Sequence, residues 1–326
     1  GAVTFAASSG TIAGVTINDS GAFDLAALTI TGNLTVTAGG AVTDSGALVI
    51  PGTATISASG QDVTLNVSTN NFTGAVAITG ANVSVVDAGA LVLGASTVSG
   101  TFAATATASG DITNTGALAI TGASTFTAAG GQSITVANSS NNFGSTVAFA
   151  SGGTLSNVSV LDTTALDLAA LSISGNLTVS SGAAITQSAA LTVPGNSSFT
   201  STGTDTNITL NTDTNAFTGS VTLTTAGTSG DVSIDNGTTA LGIQGTINGA
   251  LTVRNGQVIT DSGTLTVSGA SSFTIDTGSN HITLGTAALT GAIGVSTTGT
   301  SNFTLDNTTT AVNLGTVGVT GALSVT

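Results

Sequence analysis

The chain has 326 residues, only 5% of them charged, and all fifteen acidic side chains are Asp. Arg254 and His281 are the only basic side chains, so the net charge of −14 excludes a nucleic-acid binder, which needs Lys and Arg to displace counterions. The same balance argues against attraction to anionic lipid, and the absence of cysteine removes disulfides and thiolate metal sites.

The mean hydropathy is +0.50, but the apolar residues are scattered and no run reaches the ~18 needed to span a bilayer as a helix. Membrane insertion is therefore not expected. In chain order, residues 1–45 match the second half of a longer unit. With no basic and apolar leader ahead of them, they suggest a piece processed from a longer polypeptide. Full units follow at 46–115, 116–188, 189–262 and 263–326, each opening on Gly-Ala-Leu or a close variant at Gly46, Gly116, Ala189 and Gly263. Thr-Asp-Ser, Thr-Asn-Thr or Thr-Gln-Ser stands just before each opening. Self-similarity at this period marks an architecture in which each unit contacts mainly its neighbours. One continuous solenoid over 1–326 is the expected organisation.

A finer period lies inside the units, as Ile or Val, any residue, then Gly: Ile30-Thr31-Gly32, Ile50-Pro51-Gly52, Ile78-Thr79-Gly80, Val98-Ser99-Gly100 and Ile120-Thr121-Gly122. These spacings predict about three rungs per ~70-residue unit, a period in the range of repeat proteins. The only prolines, Pro51 and Pro194, precede the corner glycines Gly52 and Gly195 in near-identical phrases. Pro followed by Gly predicts a type II turn with the glycine at positive φ.

Between corners the chain alternates with period two, as in Leu34-Thr35-Val36-Thr37 and Thr125-Phe126-Thr127, the pattern of half-buried strands. The expected fold is all-β, a right-handed parallel β-solenoid, because parallel crossovers are right-handed. Ile56, Phe126, Phe199 and Phe273 share one repeat position, and Phe72, Phe143, Phe217 and Leu289 share another. Both sets are expected to point inward and stack.

The candidate chemistry is sparse. Asp24 and Asp167 occupy equivalent places in Asp-Leu-Ala-Ala-Leu and are repeats of one position, not partners. Asp19, Asp87 and Asp162 recur before a corner where Asn236 and Asn307 stand in for them, which predicts bonding to their own turn backbone. Arg254 and His281 stand alone in sequence, so neither joins a carboxylate pair of the kind general acid–base catalysis needs. Neither the GGxGxD nonapeptide of calcium-binding β-rolls nor an EF-hand loop occurs. No catalytic, cofactor or metal residues are assigned, and no enzyme is expected. Outward pairs such as Thr35/Thr37, Thr55/Ser57, Thr125/Thr127, Thr178/Ser180, Ser198/Thr200 and Ser272/Thr274 form hydroxyl ladders with a likeness to ice-binding solenoids.

The rung length, the Ala/Gly/Ser/Thr/Val/Asn vocabulary and phrases such as GNLTVTAGGAVTDSGAL resemble the repeat regions of filamentous-haemagglutinin-type exoproteins and large autotransporter adhesins of Gram-negative bacteria. The resemblance implies a secreted, cell-surface stalk or fibre segment serving adhesion or an extracellular matrix. Its expected partners are neighbouring rungs or like chains stacked end to end, and a host or surface ligand. Alternative expectations are a subunit of an end-to-end filament or surface layer, and an ice- or carbohydrate-binding solenoid.

Overall fold

In the strand Leu34–Ala38 the side chains of Leu34, Val36 and Ala38 are buried while Thr35 and Thr37 face outward. The same in-out alternation recurs in strand after strand, because each rung has one apolar face and must bury it against the rungs above and below. The computed structural model describes residues 2–5, 8, 10–308 and 311–326. The few other positions, in the partial repeat 1–45 and the repeat 263–326, lie outside the described residues. The chain is an all-β parallel β-solenoid of about 15 turns, and every regular element among the described residues is a strand.

Contacts divide the chain into two compact units, Gly1–Thr163 and Thr164–Thr326. In the first, one face is a parallel ladder running through Phe23–Leu25, Val42–Asp44, Val63–Leu65, Val83–Asp87, Phe102–Ala106, Ser124–Ala128 and Val147–Ser151. A second face begins Val15–Asp19, Leu34–Ala38, Ala54–Ser57, Val76–Gly80. A third, narrower face holds Leu28–Thr29, Leu48–Ile50 and Asn71–Phe72, and stops there. It stops because the single strand Val76–Gly80 pairs at one end with Leu91–Leu93 and at the other with Ser96–Val98, so two short strands take over the second face.

The second unit repeats the plan. One face runs from Leu166–Leu168 through Val232–Asp235 and Ser271–Ile275 to Leu314–Gly318. Another runs from Leu177–Ser181 through Ser220–Ala226 to Leu323–Val325. Its third face holds Leu171–Ser172, Leu191–Val193 and Ala216–Phe217. Beyond it the second face widens into the long strands Leu241–Ile247, Ile259–Val267 and Ile282–Leu289, with shifts of register.

One sequence repeat is therefore roughly three turns but not a whole number of them. In the first unit Ile56 lies on the second face and its repeat counterpart Phe126 on the first. In the second unit Phe199 and Phe273 are divided in the same way. All four are buried as expected, but a residue's ladder neighbours are not its repeat counterparts. Phe126 sits in register between Ala104 and Phe149. Around it Phe149 stacks at 5.8 Å, Phe102 tilts at 5.8 Å and Phe143 meets it edge-on at 6.0 Å. The fractional turn also divides the hydroxyl pairs. Thr35/Thr37 and Thr55/Ser57 stack in register on the second face, whereas Thr125/Thr127 lie on the first, beside Ala103 and Ala148.

The corner glycines correct the expected turn. Neither Gly52 nor Gly195 has positive φ; that conformation occurs at glycines such as Gly60 (73°) and Gly131 (81°) in longer excursions. At the corners the restriction is distance. A Cβ on Gly52 would fall 2.5 Å from the carbonyl group of Gly32 one rung away, and one on Gly195 would overlap the carbonyl oxygen of Gly175. Gly195→Ala is expected to cost about 1–3 kcal/mol, the usual penalty of overpacking. Gly152→Ala, where the added atom meets nothing within 4 Å, should melt like the wild type. Equal melting of the two variants would show that close rung approach is not the reason for the corner glycine.

Candidate functional site

The last strand of the third face, and the second-face strands that end at Phe143 and Leu289, each bond their final residue to a side chain of a following strand or turn. In the first unit Phe72 donates its N–H to Asp87 Oδ2 at 3.2 Å, and Phe143 donates to Asp162 Oδ1 at 3.2 Å. In the second unit Phe217 donates to Asn236 Oδ1 at 2.7 Å and Leu289 to Asn307 Oδ1 at 2.8 Å. The two asparagines also return a bond, Asn236 Nδ2 donating to the Phe217 carbonyl and Asn307 Nδ2 to that of Leu289, each at 3.1 Å. At Phe217 the amide thus imitates one residue of a missing strand, covering an edge that would otherwise be left unpaired, whereas Asn307 itself ends the neighbouring strand Phe303–Asn307. The expected bonding to the residue's own turn is only part of this. Asp19 does accept from Gly21 at 2.8 Å, and Asp87 accepts from Gly89 at 2.9 Å through its other oxygen.

A second device explains the hydroxyl-amide phrase before each repeat opening. A buried asparagine from the following rung reaches back to accept the opening leucine's N–H: Asn70 from Leu48 (2.9 Å), Asn141 from Leu118 (3.0 Å) and Asn215 from Leu191 (2.9 Å). The phrase residue then meets that asparagine, as Asp44 with Asn70 (2.6 Å), Asn114 with Asn141 (2.8 Å) and Gln187 with Asn215 (2.8 Å). In the last repeat Asp261 takes the backbone N–H groups of Gly285 (2.9 Å) and Thr286 directly. Sequence reasoning missed these partners, although Asn-Asn-Phe at 70–72 and 141–143 was a visible signal.

The remaining candidates are each engaged separately. Asp24 accepts from the hydroxyls of Thr43 (3.0 Å) and Ser45 (2.7 Å), and Asp167 from that of Thr186 (3.0 Å). Arg254 pairs with Asp276 at 2.8 Å and lies 3.9 Å from the buried Asp235. Burial pushes the Asp235 carboxyl above its ordinary value, and the Gly237 N–H and the Arg254 guanidinium only partly offset that. His281 accepts the Asn302 N–H at Nδ1 (3.0 Å), filling a corner place where Asn or Asp elsewhere accepts the N–H of the next rung. Asp205, also unforeseen, is the only non-glycine with positive φ (58°) among the described residues. It accepts from Thr228 (2.6 Å) and Ser229 (2.8 Å), and these main-chain bonds hold its carboxyl below the usual value.

Among the described residues no three His, Asp, Glu or Cys side chains lie together as a metal would require. One concavity, of about 290 Å³, is a shallow groove lined by Thr97, Val98, Ser99, Ala119, Ile120 and neighbours, without a titratable side chain. What the geometry does chemically is close edges and fix register. Comparison with curated proteins and with solved structures finds no match. A family model does match, at residues 1–79, 80–150, 155–224 and 229–298. Matched over most of its length by four successive repeats of that model, the chain belongs to the family described as Repeats of unknown function (DUF5649).

Proposed function

We propose that this chain is a structural stalk or fibre segment of a secreted bacterial surface adhesin or extracellular matrix protein. The observation that carries the reading is the rung-to-rung bonding within each unit. Parallel backbone ladders on two faces are reinforced by side-chain bonds that cross from one rung to the next, as at Asn70, Asn141 and Asn215. Load applied along such a stack is shared among many equivalent bonds, as a spacer requires. The repeat vocabulary resembling exoprotein and autotransporter adhesin repeats supports the same role, as does an outward surface of hydroxyls and amides with few charges. Partners of stated chemistry are other rungs of the same kind, added in parallel register, together with a surface ligand carried by the assembled protein.

Two measurements test the reading. Pulled from its ends, the chain is expected to lengthen in small steps of about one rung, each step breaking one set of ladders. Antibody raised against it should label intact cells of its source. Smooth extension at negligible force, or labelling only after permeabilisation, overturns the proposal.

A further inference from the structure

The caps come in two chemical forms, an amide and a carboxyl group. Asn236 and Asn307 bond one residue both ways, accepting its N–H and donating to its carbonyl. Asp87 holds the corresponding place in the first unit with no exposed surface, and accepts from Phe72 at Oδ2 and from Gly89 at Oδ1. An ionised carboxylate accepts only, so the donating half of the cap cannot form.

We propose that Asp87 is a proton-operated cap: as the neutral acid, its O–H donates to the Phe72 carbonyl and completes the two-way bond that Asn236 makes with Phe217. Acid then tightens the end of the third face in the first unit. The proton comes from solvent, and no bond of the chain breaks. The elements packed against Asp87 add no charge. They are Asn71–Phe72, the register partner Ala106 on Phe102–Ala106, the strand Val63–Leu65, the turn through Gly89, and Asn70, whose carbonyl accepts the Ala88 N–H. Asp44 faces the Asn70 amide, not Asp87.

Burial pushes the Asp87 carboxyl above 3.8, and only the N–H groups of Gly89, Phe72 and Ala88 oppose it. The sign follows from linkage. A carboxyl with a raised folded value binds its proton more tightly in the native state. Its contribution is fully present below 3.8 and is lost as pH rises through the raised value. Asp235 has a raised value too and Asp205, with a lowered one, acts in the opposite sense, so the wild-type profile alone mixes the three.

The test is thermal melting of the full chain and of Asp87→Asn between neutral and acid pH, read as the difference between them. Asp87→Asn is expected to melt higher at neutral pH, with the gap closing as pH falls toward 3.8. Infrared difference spectra should show a buried neutral carboxyl band growing in over the same range, stronger in the wild type than in Asp87→Asn, where the raised carboxyl of Asp235 remains. The reciprocal Asn236→Asp should melt lower at neutral pH and recover in acid. A gap independent of pH, an Asp87→Asn variant melting at or below wild type at neutral pH, or a carboxyl band equally strong in both proteins would each overturn the proposal. If Asp87→Asn fails to fold, Asn236→Asp decides alone.

Discussion

Phe126→Ala is expected to destabilise the first unit by about 3–5 kcal/mol, the range for removing a buried aromatic ring. Phe126 has no exposed surface and meets three other rings, Phe102, Phe143 and Phe149, at 5.8–6.0 Å. Truncation therefore opens a cavity and also removes edge and stacking contacts worth about 0.5–1.5 kcal/mol each beyond the area term. Its ladder neighbour on one side is already the small Ala104. From that side nothing in register can swing in to fill the space, so relaxation is limited. Denaturant titration followed by circular dichroism reads the effect, and a loss below about 1 kcal/mol would contradict the central place of this ring.

Asn215→Ala is the second large loss, because one side chain serves five bonds. Its Oδ1 accepts from Leu191 (2.9 Å) and Gln187 (2.8 Å), and its Nδ2 donates to Gln187 (3.0 Å), the Leu210 carbonyl (3.1 Å) and the Asp235 carbonyl (3.0 Å). With the side chain 2% exposed, truncation strands several of these groups away from water. Each stranded group costs about 1–3 kcal/mol, and a total of at least about 3 kcal/mol is expected. Asn215→Asp keeps the shape but sets a carboxylate oxygen against two carbonyls, so it should be nearly as damaging at neutral pH. Exposed Asn211 on the same excursion is the control, with an alanine variant expected within about 0.5 kcal/mol of wild type. If Asn215→Asp melts like the wild type, the donor half of the clasp has been misassigned.

The candidate chemistry was legible in the sequence only in part. Asp87, Asp162, Asn236 and Asn307 could be picked out as one recurring position, since Asp and Asn exchange there. Their partners could not, because Phe72 lies fifteen residues from Asp87 and across a corner. A turn reading needs only the next two residues, and Asp19 does bond its own turn, at Gly21. A cap depends on which strand is left without a neighbour, and no local pattern states that. Arg254 and His281 were singled out for being alone in sequence, yet both have folded partners twenty or so residues away.

Some properties follow from the sequence by itself. Period-two alternation with β-branched residues dictates strands, and self-similarity at ~70 residues dictates stacked units, because both act through neighbours along the chain or one rung away. Burial of Ile56, Phe126, Phe199 and Phe273 follows from the same alternation. Other properties belong to the tertiary structure alone. Whether repeat counterparts stack depends on the turn count per repeat. A repeat that is not a whole number of turns sends Ile56 and Phe126 to different faces, which similar local phrases cannot reveal. The corner glycines were legible as glycines, but their reason was not. A Gly-to-Gly approach between rungs is set by the parallel ladder spacing of about 4.8 Å, and it excludes a Cβ at Gly52 whatever its own φ. Dihedral preference is local and can be read along the chain, whereas room for one more carbon is decided by whatever the fold brings beside it.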